Sequence, residues 1–181
     1  MGGVFATASD ITGNVWAMHY YGIGPNAKYI ISRGTEQKKW DYVGVATAIF
    51  AWSWLVTTEQ YGEVIMRQAF DTERQQFDYD SQSDVYDSVR VMCDNAIAFL
   101  NRTDGAVSAT NLKYGDNYFY GGDVNKWKKF VYGILARSYI SLSGKANFVS
   151  SGFADSAIKY ANLSLATNAD NASVRVSGGA I

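Results

Sequence analysis

The chain has 181 residues and a net charge of −1, with 48% hydrophobic and 15% aromatic residues. That length supports one sizeable core. The apolar content excludes a disordered chain, and near-neutrality excludes broad electrostatic attraction to nucleic acid or anionic lipid.

Residues 1–39 read as irregular structure, rich in Gly, Asn, Ser and aromatics, with a short helix around Val15–Tyr21 and a turn at Gly24-Pro25-Asn26. No signal-peptide pattern is visible at Met1-Gly2-Gly3, and Ala6 breaks the myristoylation pattern. The segment NVWAMHYYGIGPN, Asn14 to Asn26, gathers Trp16, Tyr20 and Tyr21 beside His19 and Asn26. Aromatics in a loop either pack on the scaffold or stack on a ligand. Stacking would offer flat apolar faces to the C–H surface of a sugar, with Asn26 bonding its hydroxyls. His19, the only histidine, reads as structural or exposed.

Residues 40–58, WDYVGVATAIFAWSWLVTT, are apolar nearly all round. Asp41, Gly44, Thr47 and Ser53 interrupt the run and make it a poor membrane span, so a buried helix is predicted over 40–56. Residues 59–80 have no clear period. Acidic residues gather at Asp71, Glu73, Asp78, Asp80, Asp84 and Asp87, interspersed with Arg67, Arg74 and Arg90. Paired carboxylates could act on glycosides, but this mixture reads as a solvated loop.

Ser81-Gln82-Ser83-Asp84 matches a capping box. Val85, Val89, Met92, Cys93, Ala96 and Leu100 follow as one helical stripe, predicting a helix over 84–101 with Cys93, the only cysteine, in the core. Residues 101–122 read as a loop. Trp127, Phe130, Val131, Ile134, Leu135, Tyr139 and Leu142 predict a helix over 125–142, capped by Asp123 or Asn125. Trp127 falls on its apolar face, and Lys126, Lys128 and Lys129 form a solvated rim. A fourth helix fits 153–166, pairing with the third as an antiparallel hairpin, and 167–181 read as loop. The small-residue rhythm of the fourth helix loosely matches tetratricopeptide helices without a strict repeat. The fold class is therefore all-α: a tetratricopeptide-like helical scaffold with irregular loops, helical over 40–166, in a single partial domain. No phosphate loop, zinc spacing or nucleophile elbow is present, so no catalytic, metal or cofactor site is expected.

Three motifs in order carry a resemblance: WDYVGVATAIFAWSWLVTTEQYGEVIMRQAF, FDYDSQSDVYDSV and YGGDVNKWKKFVYGILARSYISLSG. Together, over about Gly24 to Gly144, they resemble the SusD/RagB family of nutrient-binding outer-membrane lipoproteins of Bacteroidota, in its SusD-like subgroup. Tyr61 and Gly62 match the family's tyrosine-glycine turn, and Asp123 and Trp127 its GD…kW helix start. Ile65 stands where the family has a proline. The resemblance implies an N-terminal portion of a longer protein, whose lipid-bearing cysteine and signal this chain does not carry. It implies a non-enzymatic role: capture of a glycan or other nutrient at the cell surface, and delivery to a SusC-like TonB-dependent transporter. Membrane contact would come only through the lipid anchor. The alternative is a helical-repeat scaffold that binds protein and no small molecule.

Overall fold

A computed structural model describes residues 13–173. The parts of the predicted segments 1–39 and 167–181 that fall on 1–12 and 174–181 lie outside the described residues. Among the described residues there is no strand beyond one isolated bridge, Val64 with Asp80, and the class is all-α. Helix α1 (Gly13–Ala17) runs into a π-helical turn (Met18–Ile23) and then α2 (Gly24–Glu36). There follow α3 (Trp40–Tyr61), α4 (Gln82–Leu100), α5 (Ala109–Gly115), α6 (Val124–Ile140), α7 (Phe153–Leu163) and a 3₁₀ turn (Asn168–Asp170).

Helix α3 is the central rod. Fourteen of its 22 residues are buried, because α2, α4, α6 and the π turn all pack on it. Two of its buried threonines bond within the helix: Thr47 Oγ donates to Val43 O and Thr57 Oγ to Ser53 O, each at 2.7 Å. Asp41 accepts from the Ser108 backbone N–H at 3.0 Å. Among the described residues no helix is long and apolar enough to cross a membrane. Helices α4 and α6 turn their single stripes inward, burying Val85, Val89, Cys93, Ala96 and Leu100 on one and Trp127, Val131, Ile134 and Leu135 on the other. Burial pushes the Cys93 thiol well above its usual range, so it is held as an inert thiol.

The short helix expected around Val15–Tyr21 is present as α1 and the π turn, but the irregular reading of the rest of 13–36 is overturned, because those residues are helical throughout. Gly24-Pro25-Asn26 is no turn. Proline lacks the N–H that an α-helix needs and clashes with the carbonyl four residues back, so it suits a first helical turn. Here the preceding register shifts to the π form, with Gly24 N–H bonding His19 O five residues back, and Pro25 then opens α2. Within the predicted loop 101–122, α5 forms because Ser108 caps it, its hydroxyl accepting from Asn111 N–H at 3.3 Å.

The motif around Gly122 has a definite geometry. Asp123 caps α6 by accepting from the N–H groups of Asn125 and Lys126 at 2.9 and 3.2 Å. Gly122 has φ +81°, and a Cβ there would stand 2.7 Å from the Lys113 backbone N, so only glycine fits. Buried Asp116 accepts from Trp127 Nε1 at 2.7 Å, Gly122 N–H at 3.0 Å and Tyr120 N–H at 3.3 Å. Trp127 is 2% exposed and sits in the core. The lysines do more than rim this face: Lys128 Nζ reaches Asn101 Oδ1 at 3.1 Å, and Lys129 Nζ pairs with Asp170 at 2.8 Å.

Candidate functional site

A cleft of about 560 Å³ opens between the α1–π–α2 segment and the loop after α3. Trp16, Tyr20, Tyr21, Pro25 and Lys28 form one wall; Ile65, Ala69, Phe70, Asp71, Thr72 and Phe77 form the other. The first wall is helical, so its aromatics are presented on a rigid surface. Tyr20 follows Trp16 by four residues, and their ring centroids lie 4.4 Å apart.

The second wall belongs to 62–80, where the sequence has no period. Backbone pairing ties its ends: Asp80 N–H donates to Val64 O at 2.8 Å, and Val64 N–H to Asp80 O at 3.3 Å. The Asp80 carboxylate accepts from the backbone N–H groups of Met66 and Arg67 at 2.7 and 2.8 Å and from the Arg67 guanidinium. Burial opposes its ionisation, but these donors outweigh that and hold the carboxyl below its usual range. The solvated-loop reading therefore holds for exposed Asp71, Glu73 and Asp78 and fails for Asp80, which is 4% exposed. Tyr20 Oη docks the loop on the helical wall by donating to Ile65 O at 2.7 Å, and beside it Trp16 N–H donates to the Oη of Tyr61, the last residue of α3, at 3.1 Å. Tyr61 also meets Trp16 edge-on, and Gly62 ends α3 with φ +81°.

Phe70 joins the two walls. It has φ +65°, a strained value for a residue with a side chain. A Cβ on Gly24 would lie 2.2 Å from Phe70 Cζ, so glycine at 24 lets the ring seat. Lys28 Nζ stands 5.4 Å from the Phe70 centroid. Behind this surface His19 is fully buried, its Nδ1 2.7 Å from Ser53 Oγ and its ring 4.0 Å from that of Trp54. Burial lowers its pKa to about 4, so it is a neutral core residue at neutral pH.

Three of the four residues singled out in the sequence, Trp16, Tyr20 and Tyr21, line this cleft. Trp16 and Tyr20 also pack against the core, so packing and lining are not exclusive. Tyr21 is 81% exposed. Asn26 lies elsewhere: it lines a separate groove with Met18, Ile23 and Ile49, and its Nδ2 donates to Gly22 O at 2.8 Å. On a continuous helix Asn26, five residues past Tyr21 and six past Tyr20, falls on another face. Phe70 and Phe77 carried no sequence signal beyond their aromatic character. The cleft offers stacking faces with a cation, a carboxylate and a hydroxyl at its edge, which suits an amphipathic ligand such as a sugar. Among the described residues no group of His, Cys, Asp and Glu could hold a metal ion.

A family model described as SusD-like_2, "Starch-binding associating with outer membrane", matches residues 4–180. No curated protein matches the chain. Among solved structures, a SusD/RagB family protein from Bacteroides thetaiotaomicron VPI-5482 aligns with TM-score 0.74 and 26% identity, over 88% of this chain and 32% of its own. A chitin-binding protein aligns with TM-score 0.73 and 25% identity, over 93% and 35%. A SusD homolog from Bacteroides uniformis ATCC 8492 aligns with TM-score 0.68 and 25% identity, over 84% and 30%. The chain thus spans about a third of the length of these relatives.

Proposed function

The chain belongs to the SusD-like family, described as starch-binding and associated with the outer membrane, and on that premise we propose that it captures a glycan in the aromatic cleft and takes no part in bond cleavage. The observation that carries this reading is the cleft itself: Tyr21 and Phe77, exposed by 81% and 37%, face a common space beside Trp16 and Phe70. An exposed aromatic face buries the C–H surface of a sugar ring while the hydroxyls stay in contact with water and polar side chains. The chitin-binding relative supports a polysaccharide over other nutrients. In the whole protein, the captured glycan would pass to a SusC-like TonB-dependent transporter, and a lipid anchor would hold the protein at the outer-membrane surface. Calorimetric titration against starch and chitin oligosaccharides tests the capture step. Tyr21→Ala and Phe77→Ala should weaken binding without lowering the melting temperature. If no polysaccharide binds, or if both variants bind as the parent does, glycan capture by this cleft is refuted. Product analysis after long incubation with the bound glycan should find it intact.

A further inference from the structure

A second cavity, of about 390 Å³, shares no residue with the cleft. Asn117, Tyr118, Phe119 and Tyr120 line it from one side, Asn168, Ala169, Asn171 and Ser173 from another, and Lys126 of α6 completes it. Its character is polar, with three side-chain amides around one space. None of those amides is hydrogen-bonded among the described residues. Each carries two donors and an acceptor, the pattern that pairs with the adjacent hydroxyls of a sugar. Tyr118 and Phe119, 68% and 45% exposed, add aromatic faces at the mouth.

The walls are pinned together. Tyr120 Oη donates to Asp170 O at 2.9 Å. The Asp170 carboxylate pairs with Lys129 and accepts from the Thr167 backbone and hydroxyl at 3.1 and 3.2 Å. These bonds hold the Tyr120 side and the Asn168–Asp170 side of the cavity together.

Its charge is also set. Three carboxylates lie in the surrounding segments, and each is engaged: Asp116 by Trp127, Tyr120 and Gly122, Asp123 by the α6 N-terminus, and Asp170 by Lys129. Lys126 forms no ion pair among the described residues. The lining holds this one cation and no anion.

We propose that this cavity is a second carbohydrate subsite that takes an acidic sugar unit, a uronate, with its carboxylate on Lys126 and its hydroxyls on Asn117, Asn168 and Asn171. The assignment rests on the glycan-binding reading of the chain and adds the class of sugar. Titration of the chain with galacturonate and glucuronate oligosaccharides, and with uncharged galactose and glucose oligosaccharides of equal length, tests it. The uronates should bind more tightly than their neutral counterparts, and added salt should weaken that preference. Lys126→Ala should lower uronate affinity roughly tenfold or more, the loss of one hydrogen bond to a charged group. It should leave the melting temperature and neutral-sugar binding unchanged, because the Lys126 side chain holds nothing else in place. Asn117→Ala should weaken uronate binding independently. Equal affinity for charged and uncharged sugars, or uronate binding indifferent to Lys126→Ala, overturns the subsite; neutral-sugar binding that still depends on Tyr21 then leaves the cleft standing. Binding of no sugar of either class overturns both.

Discussion

Replacing Asp116 by alanine should be among the most damaging single changes in this chain. The side chain is buried and collects three donors: Trp127 Nε1 at 2.7 Å, Gly122 N–H at 3.0 Å and Tyr120 N–H at 3.3 Å. Trp127 is itself buried, so its indole N–H would lose its acceptor with no route to water. A buried donor left unsatisfied costs about 1–3 kcal/mol. The Gly122 N–H is partly buried and more easily rehydrated, so it adds about 1 kcal/mol. The expected loss is therefore about 2–4 kcal/mol. Asp116→Asn should cost about 2 kcal/mol, because an amide turns a donor toward a place where three donors already converge. Trp127→Phe removes the indole N–H alone. In a double-mutant cycle, Asp116→Ala and Trp127→Phe should couple by about 1.5–3 kcal/mol, as for a hydrogen bond to a charged acceptor. Urea unfolding followed by circular dichroism at 222 nm, the α-helical band, provides all four stabilities. A cost below about 0.5 kcal/mol for Asp116→Ala, the level of an ordinary surface change, or coupling near zero, would refute the argument.

His19 predicts a pH dependence. Its folded pKa of about 4 lies below the free value of 6.5. As pH falls below 6.5, the unfolded chain takes up a proton that the native state refuses, so stability drops until about pH 4, by about 3 kcal/mol at most. Urea midpoints measured at neutral pH and near pH 4.5 should differ more for the parent than for His19→Asn, and equal differences would remove His19 as the cause. Gly24→Ala should displace the Phe70 ring, because the added Cβ would sit 2.2 Å from Cζ. The expected cost is about 1–3 kcal/mol, with altered glycan binding, and an unchanged melting temperature would show that the ring moves freely.

The legible parts of the fold are those with a one-sided pattern. The stripes on α4 and α6 could be read because each helix has one buried face, and α3 announced itself by having no polar face at all. Helix α2 was hidden because glycine and proline are ambiguous: the same pair opens a turn or a helix, and the π register that decides between them leaves no residue signature. Helix α5 is too short to show a period. The site was half visible. Its aromatic wall stands together in the sequence, whereas its second wall depends on Asp80, one acidic residue among several, whose role follows from the Met66 and Arg67 donors that the fold brings to it. Asn26 was misplaced because the segment is helix: proximity to Trp16 and Tyr20 in a loop does not survive helical spacing. Asp116 was missed because its partners lie 4 to 11 residues away along a turn.

The π turn sets the azimuth of the binding wall. A residue added to or taken from a helix rotates everything beyond it by about 100° about the axis. Removing Gly22 would let Met18–Ile23 relax to a regular α-helix, and Trp16 and Tyr20 would swing away from Ile65 and Phe70, and His19 from Ser53 and Trp54, while α2 stayed docked on α3. A single insertion or deletion there would re-aim the aromatic wall without changing any residue in it. Descendants of this sequence could thus vary the breadth of the cleft, and the shape of glycan it admits, by slipping one residue along a helix whose far end remains anchored.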